Sequence, residues 1–222
     1  MVTREERARG RTGGATLGLR ERKRRQTHRL LVTTALRLVA ERGLDRVTVE
    51  DISAEAGVSA RTFFNYFTVK EDALLVPYPD DEERMATLPD RIIAAPAGLS
   101  PPYAMVHAWR DDLARWDADR DEWLTRITAM TEHPALAARL VRHMAEEKRV
   151  TVEALARRTG LPSGDPYLEL VFHVVEGAME ASVALWHRLG GETPLPGLVD
   201  TAVAAVEAGL PVPDRAARRP GG

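Results

Sequence analysis

The chain has 222 residues, 29% charged and 44% hydrophobic, with a net charge of −2, which suits a globular protein with a substantial core in one or two domains. It contains no cysteine, which excludes disulfides, thiolate nucleophiles and cysteine metal sites and agrees with a cytoplasmic location. No apolar run of about 18 residues is present, so no membrane span is expected, and the basic N-terminus lacks the apolar stretch of a secretory signal.

The charge is unevenly spread. Residues 1–72 hold 15 Lys/Arg against 10 Asp/Glu, a net +5; residues 73–222 hold 16 against 23, a net −7. A basic segment in a chain that is near-neutral as a whole is the footprint of phosphate binding. Residues 1–19, with Arg4, Arg7, Arg9 and Arg11 among Gly10, Gly13, Gly14 and Gly18, read as a flexible basic arm. A helix is expected from Arg20 to Arg42, because Leu31, Ala35, Leu38 and Val39 recur at i, i+4, i+7 and i+8, and Gly43 suits its left-handed end.

The next stretch, Thr48 to Lys70, reads TVEDISAEAGVSARTFFNYFTVK. Thr48 followed by Asp51 is a capping box with Asp in place of Glu or Gln, and Ile52 and Ala56 make an apolar side. Gly57 ends this first helix, Val58 plugs the turn, and Ser59 caps a second helix carrying Arg61 to Phe67. Thr68, with Glu71 as partner in a second capping box, opens a third. Helix, tight turn, helix is the helix-turn-helix plan, whose second helix enters a DNA major groove. Phe63 and Phe67, four apart, pack inward; Arg61, Thr62, Asn65 and Tyr66 fall on the other side. Arg binds guanine in bidentate fashion, Asn binds adenine, and Thr offers a hydroxyl or a methyl contact. Thr48, Ser59 and Lys70 suit phosphate contacts, the first two as helix N-caps. The competing reading of this face is a solvated polar surface.

From about Leu31 to Lys70 the chain resembles the TetR family of bacterial transcription regulators. The likeness rests on Ala35, Leu36, Leu38, Val39 and Gly43, the run VTVEDISAEAGVSARTFFNYF, and Lys70. The resemblance implies an all-α protein with an N-terminal three-helix DNA-binding domain, a C-terminal helical ligand-binding and dimerisation domain, and about nine helices in all. It further implies a homodimer, a palindromic double-stranded DNA operator and a small-molecule effector that releases it. In the family pattern Tyr66 contacts phosphate through its hydroxyl. Phe64 stands where a tyrosine is usual; its ring can still touch a thymine methyl.

All 14 prolines lie at or beyond Pro77. Pro77 and Pro79 interrupt the helix starting near Lys70. A helix then restarts at the acidic run Asp80–Glu83 and ends towards Leu88, before Pro89. This break puts in doubt a lever motion of one continuous helix. Further helices are expected from Ser100-Pro101 to Trp116, from Glu122 to Thr131 after a turn at 117–121, and from His133-Pro134 to Arg158. The last two run from Asp165-Pro166 to before Gly190 and from Thr193-Pro194 or Pro196 to Gly209; 211–222 reads as a disordered tail. The chain thus divides into 1–19, 20–76 (DNA-binding), 77–210 (effector-binding and dimerisation) and 211–222.

On the helix after Pro166, Leu170, Val174, Gly177, Ala181 and Leu185 form one apolar face, opposite Leu168, Val171, Phe172, Val175, Met179, Ser182 and Trp186. A helix apolar over most of its circumference is covered on more than one side. The first face, with Ala202 and Val206 of the last helix, is the expected dimer interface. Large adaptable side chains, Met105, Trp109, Trp123, Ile127, Met130, Met144, Phe172 and Val175, are expected to line an effector pocket, although such residues also fill ordinary cores. Their apolar character points to a hydrophobic or amphipathic effector. The FFNYF form is most similar to the actinobacterial group containing the mycofactocin-system regulator, which implies an acyl-CoA-like ligand.

No catalytic residues, cofactor or metal site are expected. No GxSxG, Walker or GxGxxG sequence is present. His107, His133, His143, His173 and His187 fall in no metal-ligand signature. The expected function is a DNA-binding transcription regulator, a repressor released by its effector. The alternatives are a ligand-independent regulator or activator, or a helical enzyme carrying a DNA-binding head.

Overall fold

A computed structural model of the chain describes residues 18–212; most of the basic arm and of the C-terminal tail lies outside them. Every regular element among the described residues is helical. The elements are α1 (Leu19–Arg42), a 3-10 turn (Leu44–Arg46), α2 (Val49–Glu55), α3 (Ala60–Phe64), α4 (Asp72–Leu75), α5 (Asp81–Ala94), α6 (Pro101–Ala118), α7 (Arg120–Glu132), α8 (Pro134–Thr159), α9 (Pro166–Arg188) and α10 (Leu195–Glu207). None of them is long and apolar enough to cross a membrane.

Ten α-helices lie among the described residues, against about nine expected, with the linking segment divided into α4 and α5. The interruption falls at Pro77 and Pro79 as expected. Pro89, however, does not end α5, which runs through it to Ala94. Leu88 and Ile92 of this helix are fully buried and α5 packs along α8, so burial outweighs the hydrogen bond that proline cannot donate. In the turn crowded by the proline ring, the Arg84 carbonyl accepts from Thr87 Oγ1 and Arg91 Nη2, each at 3.0 Å. The second capping box also differs. The N–H groups of Thr68 and Val69 donate to Asp72 Oδ2 at 3.2 and 3.3 Å, so Asp72 takes the place expected for Glu71.

Two apolar cores form. In the first, Leu31, Val32, Ala35, Leu38 and Val39 of α1 pack on Ile52, Phe63, Phe67, Ala73 and Leu74. Ala129 of α7 and Leu136 of α8 complete it, so the N-terminal core is closed by C-terminal helices. The second joins Leu88 and Ile92 to Met105, Trp109, Leu113, Leu155, Phe172, Val175, Trp186 and Val199. There α9 and α10 pack together and α6 lies against both.

Candidate nucleic-acid interface

Helix α3 is held from three directions. At the start of α2, Thr48 N and Oγ1 donate to Asp51 Oδ2 at 2.9 and 2.6 Å, and Asp51 N donates back to Thr48 Oγ1 at 3.1 Å. These bonds hold the Asp51 carboxyl below its usual range. Gly57, at φ 67°, takes the left-handed turn that an L side chain rarely adopts, and Val58 N closes it on Ser53 O at 2.9 Å. Ser59 Oγ then caps α3 by accepting from Thr62 N at 3.1 Å. Phe63 and Phe67 lie in the core with ring centroids 5.4 Å apart, which fixes the roll of α3.

That roll turns Arg61, Phe64 and Asn65 outward; Phe64 is 54% exposed. Thr62 and Tyr66, expected on the same face, are half-buried. Thr62 Oγ1 lies 2.9 Å from Ser59 Oγ, and the Tyr66 ring packs edge-on to His28 at 6.3 Å. The helix is shorter than expected: Asn65 is its C-cap, Tyr66 lies in the following turn and Phe67 just beyond it. Lys70 is half-buried, and its Nζ donates to Leu44 O at 2.7 Å and Val47 O at 2.8 Å. It fastens the segment before α2 to the segment after α3.

Sequence reasoning passed over His28. Its ring packs at 4.9 Å on Phe67, and burial, with Arg24 and Arg29 nearby, lowers its pKa to about 4, so it is a neutral core residue. Its place on the buried stripe of α1, three residues before Leu31, was the available signal.

Several bonds tie the head to the C-terminal helices. Arg126 of α7 is 0% exposed; its Nη1 donates to the Leu74 carbonyl at the end of α4, and its Nη2 to Glu122 at 2.9 Å. Arg139 of α8 donates to Asp72 Oδ1 at 2.7 Å. Leu44 N donates to His133 Nε2 at 3.3 Å, and Arg29 of α1 lies 3.4 Å from Glu122. Past the proline break, Trp123 Nε1 donates to the Tyr78 hydroxyl at 2.9 Å, and Arg115 makes two bonds to Asp80 while stacking on the Tyr78 ring at 3.7 Å.

Of the expected pocket residues, Met105, Trp109, Trp123, Phe172 and Val175 are buried in the second core with Ile127 packed on them. Trp123 stacks on Trp116 at 4.2 Å. Met130 is half-buried and in neither core, and Met144 is 36% exposed, so these two are not gathered with the rest. Surface recesses of about 390 and 350 Å³ lie at 117–122 and between α1 and α7. The expected dimer face is uncovered. Leu170 is 60% exposed, Gly177 and Ala181 are exposed, and Val174, Leu185, Ala202 and Val206 are half-buried. A Cβ built on Gly177 meets nothing within 4 Å. No group of His, Asp and Glu among the described residues could hold a metal ion.

Comparison with known proteins places this geometry. Residues 31–75 match the family described as bacterial regulatory proteins, tetR family, and residues 99–211 match the MftR C-terminal domain family. The HTH-type transcriptional regulator TcmR of Streptomyces glaucescens is 30% identical over 211 residues, covering 92% of each chain. Among solved structures, Thermus thermophilus FadR, a TetR-family repressor in complex with lauroyl-CoA, is similar at a TM-score of 0.51 and 23% identity, over 88% of this chain and 100% of that one. FadR of Bacillus halodurans is similar at a TM-score of 0.55 and 19% identity, over 82% and 98%. At these identities the structural likeness speaks to the fold.

Proposed function

Because the chain belongs to the TetR family of transcription regulators, we propose that it binds a palindromic operator as a homodimer, represses there, and is released by a small hydrophobic or amphipathic effector. The observation that carries this reading is the outward set Arg61, Phe64 and Asn65 on a helix locked by Phe63, Phe67 and two capped N-termini. Arg61 and Asn65 supply base-edge hydrogen bonds and Phe64 a methyl contact. Thr48, Ser59, Thr62 and Tyr66 flank them for backbone contacts, and Lys70 orients the motif through the carbonyls it grips.

The uncovered face of α9, with its close-approach positions Gly177 and Ala181, supports a partner helix from a second copy, joined by α10. Two copies then present two reading helices to successive major grooves about 34 Å apart. Effector binding in the second core favours a spacing that does not fit the operator. The ties from Arg126 to Leu74 and from Arg139 to Asp72 support a route through α7 and α8 to α4, in place of one continuous lever.

A second reading, a ligand-independent regulator, is favoured by the close packing of Met105, Trp109, Phe172 and Val175. A mobility-shift assay on a palindrome from the neighbouring promoter, with and without amphiphiles, separates the two. One retarded dimer complex that dissociates with an amphiphile is the expected result. A complex indifferent to every amphiphile supports the second reading, and no complex with any palindrome overturns both.

A further inference from the structure

Helix α1 runs on past the helix-turn-helix that covers it. Counted at 100° per residue, two contacts mark the edges of the side on which α2 and α3 pack. Arg37 pairs with Glu55 of α2 at 2.6 Å, and the His28 ring packs on Phe67 at 4.9 Å and on Tyr66 at 6.3 Å. Leu31, Thr34 and Leu38 lie between these edges and are buried. Arg20, Lys23, Arg24 and Thr27 lie between the same edges, inside an arc of about 100°. There Arg20, Lys23 and Arg24 are exposed. The residues before His28 carry this bare stripe about 13 Å beyond its contact with Tyr66 and Phe67.

The cations of α1 fall into two sets. Arg25 and Arg29 meet the C-terminal helices: Arg25 lies 3.9 Å from Glu83 of α5, and Arg29 lies 3.6 Å from Asp119 and 3.4 Å from Glu122. Arg20 and Lys23 form no ion pair among the described residues, and Arg24, at 3.6 Å, shares Glu21 with Arg25, at 3.0 Å. Glu21 is the only acidic residue between Gly18 and Ala40. Locally this arrangement is unfavourable. Cations oppose the positive end of the helix dipole, and Gly18 supplies no side-chain cap. Like charges at i, i+3 and i, i+4, as in Arg20–Lys23 and Arg20–Arg24, repel one another. A local cost confined to one face and one end of a helix marks a surface whose negative charge arrives from outside.

We propose that Arg20, Lys23 and Arg24 form a second contact surface for DNA, gripping backbone phosphates beside the groove that α3 enters. The inference rests on the reading of α3 as the helix that enters a major groove, and extends it to a surface that reads no base. A major groove is about 12 Å wide and walled by phosphates, and the stripe reaches about that far from the end of α3. His28, packed against both Tyr66 and Phe67, holds the stripe at a fixed offset from Asn65. Contacts of this kind set the register of α3 on the duplex and carry no sequence preference.

The test measures DNA affinity as a function of salt, using the full chain and the palindrome it selects from a random duplex library. Each phosphate contact adds about 0.9 to the slope of log affinity on log salt. The triple variant Arg20→Ala, Lys23→Ala, Arg24→Ala should lower the slope by about 2–5 for a dimer and leave the selected palindrome unchanged. Arg22→Ala removes an equally exposed cation from the other side of α1 and should leave the slope as in the parent. Thermal melts check that the variants fold, and Arg20→Gln with Lys23→Gln repeats the measurement if the triple variant does not. A slope unchanged in the variants of the stripe overturns the proposal. So does a slope lowered as much per charge by Arg22→Ala, which reflects net charge alone, or a changed base preference in the triple variant. A parent that selects no palindrome overturns the reading of α3 on which the proposal stands.

Discussion

Replacing Arg126 with methionine tests the junction between the head and the C-terminal helices. Arg126 is fully buried, donating to the last carbonyls of α4 through Leu74 O and to Glu122 at 2.9 Å, with its guanidinium 5.4 Å from the Trp123 ring. Methionine keeps most of the volume, so cavity formation is a minor contribution. The Leu74 carbonyl is left without this donor, at a cost of about 1–3 kcal/mol. Breaking a buried ion pair from one side costs about 3–5 kcal/mol when the other charge is stranded. Glu122 is not stranded, since Arg29 stays 3.4 Å away, so the lower part of that range applies. Removing the buried guanidinium also relieves its desolvation, which offsets part of these costs, so the net expectation is about 2–4 kcal/mol, or a fall in Tm of about 5–12 °C for a chain of this size. Differential scanning calorimetry measures the fall, and hydrogen exchange should show faster opening of residues 70–78. A Tm within about 2 °C of the parent, with unchanged exchange there, would refute the claim that Arg126 anchors α4.

Three further outcomes are expected. Lys70→Ala removes the donor of two carbonyls and should lower stability by about 1–3 kcal/mol while weakening binding to all DNA sequences alike; loss of specificity at one base pair would contradict it. Glu147 holds its proton up to about pH 7, against 4.5 for a free glutamate. The folded state therefore binds more protons than the unfolded one between these values, and stability should fall as pH rises from 4.5 to about 7. Allowing for its half-buried position, the loss is about 1–2 kcal/mol; Glu147→Gln should raise Tm at pH 8 and flatten the profile, and a profile identical to the parent's would remove Glu147 as its cause. Ala181→Glu places a charge at the centre of the uncovered face of α9 and should yield monomers in sedimentation; surviving dimers would move the interface elsewhere.

Patterns that depend on residues close in sequence were readable in advance. The capping box at Thr48–Asp51, the cap at Ser59, the glycine turn and the inward pair Phe63 and Phe67 all follow from spacings of three or four residues. What escaped depends on distant partners. Lys70 reads locally as an exposed cation, yet its acceptors lie 23 and 26 residues away. Arg126 reads locally as an ordinary surface cation, yet it is fully buried and its backbone acceptor lies 52 residues away. Pro89 reads as a helix end because the packing of Leu88 and Ile92 on α8 is invisible to a local rule. Asp72 displaces Glu71 as the capping carboxylate, and its other oxygen accepts from Arg139 of α8, a partner the local sequence does not display. Among the expected pocket residues, large apolar side chains suit a pocket lining and a packed core alike, and they did not separate those that pack together from Met130 and Met144.

The most direct test of DNA reading by α3 is selection of bound sequences from a random duplex library, with the parent protein and with Arg61→Ala. The account predicts an enriched palindrome with half-sites about one helical turn or a multiple of it apart, and loss of preference at one base pair of each half-site in the variant, worth about 1–3 kcal/mol. An unchanged motif in the variant, or no palindrome in the parent, would contradict it.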